Sequence, residues 1–208
     1  MEYLPLITTV LIAHVLGVIS PGPDFLLVSK NALTYNRRTG IWTAVGTGLG
    51  IGVHIIYCLA GLAVIISKSI LVFNIIKILG AGYLIYLGIK SLRAKSTEIK
   101  INQEKSQKEM TRSLAIRTGF LCNVLNPKAT LFFLSLFTLA IPPETPRTLL
   151  AALGILMVVS TILWFIMVSY LFSNKKTQLI YNRFQGVINK TFGAILITLG
   201  VRIAIARE

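Results

Sequence analysis

Negative charge is the scarcest resource of this sequence: seven Asp and Glu stand against 21 Lys and Arg. Charged residues of both signs make up only 13% of the chain, about half of the roughly 25% usual in a soluble domain. With 54% apolar residues, a water-soluble fold would have too few polar side chains to cover its surface. Cysteine and histidine occur twice each, and Cys58 and Cys122 give no pattern for a disulfide scaffold or a zinc site. The first basic residue is Lys30, so the N-terminus lacks the basic region of a cleaved signal peptide and is expected to stay as a spanning helix. The excess of +14 would suit nucleic acid, but its Lys and Arg residues fall between apolar stretches and not on one amphipathic face. No nucleic-acid partner is expected.

What the chain does have is long apolar blocks, each near the roughly 20 residues that span a bilayer core. The first runs from Leu4 to Leu33, broken by Ser20-Pro21-Gly22-Pro23. The second and third run from Ile41 to Ile66 and from Ile70 to Ile89. The fourth runs from Thr118 to Ile141 and is broken at Asn126-Pro127. The fifth runs from Thr148 to Phe172 and the sixth from Val187 to Ala206. Helices are the natural assignment, because an isolated strand leaves its backbone unsatisfied in lipid. The expected fold is an all-α integral membrane protein of about six transmembrane helices, with helices 1 and 4 broken at proline motifs.

Cations concentrate in the odd-numbered connections. The first carries Arg37 and Arg38, the third Arg93 to Arg117, and the fifth Lys175, Lys176 and Arg183. The even connections offer only Lys68 and Arg147. The positive-inside rule then puts the odd-numbered loops in the cytoplasm of a bacterial-type inner membrane. The long third connection divides the chain into a first three-helix repeat (1–93), a basic cytoplasmic linker (94–113) and a second three-helix repeat (114–208). Toward its close the third block reads Leu84-Ile85-Tyr86-Leu87-Gly88-Ile89-Lys90 and the sixth Leu196-Ile197-Thr198-Leu199-Gly200-Val201-Arg202. Three helices copied in tandem reverse direction in the membrane, so the repeats would be inverted. Inverted repeats with interrupted helices are a transporter design. Apolar helices also resemble one another by chance, which is the bland alternative.

The chemistry is expected at the two breaks. Pro21 and Pro23 remove amide donors and Gly22 relaxes the backbone, so the helix stops and a new one starts. Free amides at the new N-terminus suit a carboxylate, and free carbonyls at the old C-terminus suit an ammonium group. Asp24 is the only acid inside an apolar block. A charge at the centre of a membrane helix costs at least about 2.5–3.5 kcal/mol and is usually functional. Asp24 is a candidate for binding substrate ammonium, for carrying a coupling proton, or only for stabilising the second half-helix. At the second break, Pro127 strips the carbonyl of Asn123 of its helical donor. Asn123 and Asn126 offer polar side chains, and Lys128 is the basic counterpart of Asp24. It could pair with Asp24, hold a substrate carboxylate, or snorkel to the interface. Ser20 completes the expected substrate or proton site. Gly40, Gly46, Gly48, Gly50 and Gly52 read as close helix packing. His14 and His54 read as isolated hydrogen-bonded helix residues, and Trp42, Trp164, Tyr83 and Tyr86 as anchors or packing.

These motifs resemble a known family. Gly17 through Phe25, then Asn31-Ala32-Leu33 and Arg37-Arg38-Thr39-Gly40-Ile41, are similar to the LysE-type amino-acid exporters, in particular the homoserine/threonine-resistance branch. Gly119-Phe120-Leu121 through Asn126-Pro127-Lys128-Ala129 matches the second signature. The resemblance implies export of amino acids or their derivatives with protons as coupling ion; alternating access is the expected mechanism, and no cofactor is expected. It carries importance onto Pro21, Gly22, Pro23 and Asp24, and onto Asn126, Pro127 and Lys128. No enzyme activity is expected, and a homodimer is left open. Two rivals remain: export of a metal cation or other small solute, with Asp24, His14 and Cys122 as thin support, and a membrane thiol–disulfide protein. For the latter, Cys122 lies near Pro127 but no partner lies near Pro21.

Overall fold

The computed structural model describes residues 3–68, 70–94, 110–142, 144–172 and 175–205. Most of the expected linker, with Lys95, Lys100, Lys105 and Lys108, lies outside the described residues, as does Pro143. The described residues form eight helices and no strand: α1 (Leu4–Ile19), α2 (Pro23–Thr34), α3 (Arg37–Lys68), α4 (Ile70–Leu92), α5 (Arg112–Val124), α6 (Pro127–Ala140), α7 (Arg147–Phe172) and α8 (Lys175–Ile205). Both expected breaks are present. α1 and α2 meet at 51°, and α5 and α6 at 58°.

Proline chemistry accounts for each break. α1 makes its closing bond from Ser20 N to Leu16 O (3.0 Å). Pro21 and Pro23 cannot donate to the next carbonyls, and their rings crowd the preceding turn. Gly22 is extended, and α2 begins at Pro23 with Leu26 N donating to Gly22 O (3.0 Å). At the second break Pro127 is the first residue of α6. Asn126 Oδ1 caps that helix by accepting from Lys128 N at 3.0 Å.

Two boundaries differ from expectation. α8 starts at Lys175, twelve residues before the sixth apolar block, and α5 starts at Arg112, inside the polar stretch. Both extensions carry cations, which read as loop because hydropathy is blind to helix outside lipid. By length and composition, α3 and α7 are each long and apolar enough to cross a membrane, and each bent pair qualifies as one broken span, which gives up to four spans among the described residues. Ile78–Leu92 of α4 is a shorter apolar helix.

The burial pattern is that of a protein in lipid. Ile56, Leu79 and Ile155 are 69%, 68% and 65% exposed, while His14, Thr43, Thr47 and His54 are at 0%. Large apolar side chains facing out over polar ones facing in make sense only if the surroundings are apolar. Inside, threonines close on their own helix: Thr43 Oγ1 donates to Thr39 O (2.9 Å) and Thr47 Oγ1 to Thr43 O (3.1 Å). Asn31 of α2 joins the row by donating to Thr43 Oγ1 (3.0 Å).

Small residues set the helix crossings. α3 runs parallel to α5, with Gly46 against Ile116 O and Gly119 against Thr43 O so closely that neither site has room for a Cβ. α4 runs antiparallel to α8, and the contact is reciprocal. Gly88 meets Gly193 and Ile197, while Gly200 meets Ala81 and Ile85. Residue 88 thus corresponds to 200, 81 to 193 and 85 to 197, in one constant register. α3 and α7 are also antiparallel, with Gly48 against Ile162 and Gly52 against Val158. At one end of the bundle Arg37 stacks on Tyr170 (4.5 Å) and Arg112 on Trp42 (3.8 Å), so cationic residues beside the first and third connections sit together.

Candidate functional site

The two breaks face one another across a cavity of about 50 Å³. Ser20, Gly22, Asp24, Asn123, Asn126 and Lys128 line its polar side, with His14. Ile51, Phe132, Phe133 and Phe165 line its apolar side. Of the sequence-derived site residues, only Pro21, Pro23 and Pro127 do not line it; they shape the turns that bring the others together.

The wiring between the breaks is reciprocal. Asp24, in the first turn of α2, receives Nδ2 of Asn123 and Nδ2 of Asn126 on the same oxygen, Oδ2, at 3.0 Å each. Hydrogen bonds to a carboxylate are the strong kind, worth about 1.5–3 kcal/mol each. Oδ1 of Asp24 is buried without a hydrogen-bond partner, and the Cys122 thiol borders the carboxylate. Lys128, in the first turn of α6, reaches back to the first break. Its Nζ donates to Ser20 Oγ (3.0 Å) and Ser20 O (3.4 Å) and lies 5.3 Å from the Phe192 ring centroid. Of the options open for Lys128, the structure shows a third partner: Ser20, and not a direct hydrogen bond to Asp24. The ammonium of Lys128 thereby occupies the carbonyl end of α1, where a substrate ammonium was expected.

Pro127 leaves the Asn123 carbonyl free of its helical donor, and two groups fill that place. Asn126 N donates to it at 2.9 Å and His54 Nε2 at 3.0 Å. A carbonyl only accepts, so Nε2 carries the proton. His54 Nδ1 then accepts from Tyr57 Oη at 2.7 Å, and the ring stacks on Phe133 at 5.7 Å with 1° between planes. His54 therefore holds the second break in shape. The hydrogen-bonded helix residue expected from the sequence is thus present, and its partners lie at the second break. The signal was present: Thr43, Thr47, Gly50 and His54 share one face of α3 at three- to four-residue spacing. Gly50 completes the support, since a Cβ there would stand 2.7 Å from Asn123 Oδ1.

The glycine pattern, the paired breaks and the broken-helix signatures agree with one match. The model of the LysE type translocator family covers residues 15–207. This chain belongs to that family. Among curated relatives of this translocator, an uncharacterized membrane protein of Bacillus subtilis (strain 168), YrhP, is 33% identical over 192 residues, or 89% of this chain and 91% of that one. The threonine efflux protein of Escherichia coli (strain K12) is 30% identical over 205 residues, 98% of this chain and 100% of its own. The uncharacterized membrane protein YahN of the same organism is 30% identical over 191 residues, 91% of this chain and 84% of its own. No solved structure matches the chain significantly. Among the described residues no three His, Cys, Asp or Glu side chains converge as metal ligands, and Cys58 and Cys122 are both free thiols.

Proposed function

We propose that this translocator exports amino acids or their derivatives from the cytoplasm of a bacterial cell by alternating access, in exchange for protons. The observation that carries the reading is the doubly amide-bound Asp24, held between two broken helices and close to the half-buried ammonium of Lys128. The free α2 N-terminus and Lys128 provide for a carboxylate, and Asp24 Oδ1 provides for an ammonium. Relatives of matching length are named for threonine efflux, which supports an amino-acid cargo.

The proposed frame is six spans in two inverted three-helix repeats. The reciprocal α4–α8 contacts, the antiparallel α3–α7 pair and the placement of Pro23 and Pro127 each as first residue of a second half-helix support it. The cationic end of the bundle would face the cytoplasm. The two breaks then open to one side at a time as the repeats rock. Asp24 serves as the group that releases its proton to one side and receives substrate or proton from the other.

The test is efflux from proteoliposomes preloaded with a panel of labelled amino acids, with and without an imposed proton gradient. At least one amino acid is expected to leave faster when the gradient drives protons inward. Folded, reconstituted protein that moves no amino acid would falsify the reading.

A further inference from the structure

We infer that the outward face of α5 is a binding site for one anionic phospholipid of the leaflet at the cationic end of the bundle. Arg112, Ser113 and Arg117 hold its phosphate, and one acyl chain lies along Ile116 and Phe120. The site stands apart from the cavity between the breaks and does not depend on what that cavity carries.

These five residues line an open groove of about 430 Å³. They fall at i, i+1, i+4, i+5 and i+8, which is one face of a helix. The opposite face, with Ala115 and Gly119, is buried, and Gly119 lies against Thr43 O of α3. Arg112, Ser113 and Arg117 are exposed, while Ile116 and Phe120 are half-buried. Toward the second break the exposed Leu121 and Leu125 extend the apolar surface. Among the described residues no carboxylate pairs with Arg112 or Arg117. Arg112 stacks on Trp42 at 3.8 Å from the ring centroid. A guanidinium held over a ring still directs its N–H groups outward in its own plane, in the fork that matches a phosphate.

Depth selects a lipid. With the break at Asn126 near the bilayer midplane, the helical rise puts Phe120 about 9 Å, Arg117 about 14 Å and Arg112 about 21 Å toward the cationic end. Half of the hydrocarbon core is about 15 Å thick. The two arginines therefore bracket the level of lipid phosphates, and Phe120 stands among acyl chains. Charge selects an anionic one. Two cations without an acidic partner face a phosphate, and a zwitterionic lipid brings its own ammonium to compete with them. A lipid with net negative charge brings none. A free phosphate would meet the cations but leave Ile116 and Phe120 uncovered.

The experiment equilibrates the full chain in detergent with equimolar phosphatidylglycerol and phosphatidylcholine and counts the lipids it retains by native mass spectrometry. Wild-type protein is expected to retain phosphatidylglycerol over phosphatidylcholine by at least about tenfold. Arg112→Gln with Arg117→Gln should bring the preference to within about twofold. Arg38→Gln with Arg183→Gln removes the same charge from exposed positions outside the groove and should leave the preference unchanged. An excess of glycerol phosphate should leave the lipid bound, because it offers the headgroup without the chain. Wild-type protein that retains both lipids equally overturns the inference, whatever the variants do. An equal loss in the Arg38 and Arg183 variant overturns it too, by reducing the effect to net charge. Displacement of the lipid by glycerol phosphate overturns the part given to Ile116 and Phe120. No cargo enters this assay, so each of these results leaves the transport reading where it stood.

Discussion

The two breaks look alike in sequence and are built differently. The Asn126-Pro127 break closes on itself: Asn126 caps α6, and His54 and Asn126 N fill the Asn123 carbonyl. The Ser20–Gly22 break has no side-chain cap on α2 and takes its partners from across the cavity. Asp24 is held by Asn123 and Asn126, and the Ser20 carbonyl by Lys128. One break is the clamp and the other is the part being clamped. On the proposed reading, polar groups of the first break are the ones that change partners when a substrate enters.

The contrast can be tested from its strongest point outward. Asp24→Asn leaves a neutral amide facing two amide donors, a loss of about 2–5 kcal/mol for a buried charged partner. Proton-driven efflux should fall by roughly a hundredfold or more. Membrane insertion, followed by fluorescence of a fused tag, should be unchanged. Wild-type efflux in this variant removes Asp24 from the mechanism.

Next comes the exchange of the two charges, Asp24→Lys with Lys128→Asp. A plain ion pair would survive it. Here each charge has its own partners, amides for the acid and a hydroxyl for the base, so the double variant should stay as inactive as Asp24→Asn. Recovery to the level of wild type would show that the breaks are interchangeable.

Asn126→Ala removes a cap worth about 1 kcal/mol and a bond to Asp24 worth about 1.5–3 kcal/mol. Efflux should drop roughly 30-fold, and the apparent melting temperature in detergent should fall with it. Ser20→Ala, on the clamped side, leaves the Ser20 carbonyl for Lys128 and should cost only about 1 kcal/mol, roughly fivefold in efflux. If Ser20→Ala proves the more damaging of the two, the assignment of clamp and clamped part is reversed.

Much of this arrangement was legible in the chain because lipid enforces simple rules. A proline inside an apolar block must break a helix, and a lone acid inside one must find partners. Pro23, Pro127 and Asp24 announced the site on those grounds. Partner choice was not legible. Nothing in the order of residues says that both asparagines turn to Asp24 or that Lys128 turns to Ser20, since those contacts join residues about a hundred positions apart. His14 looked like one more helix histidine until its ring was seen with one nitrogen tied to α7 and the other untied. The first twelve residues of α8 were missed because Lys175, Lys176 and Arg183 hide a helix from any reading by hydropathy.

The glycine contact between α3 and α5 has a mechanical meaning. In the proposed two-fold arrangement its counterpart is the meeting of α1 with α7, which is much sparser and is bridged by His14. One seam is welded, the other merely latched. In the proposed rocking of the two repeats, the welded seam would stay closed and the latched one, held by the His14 bond to Met157 O, would open.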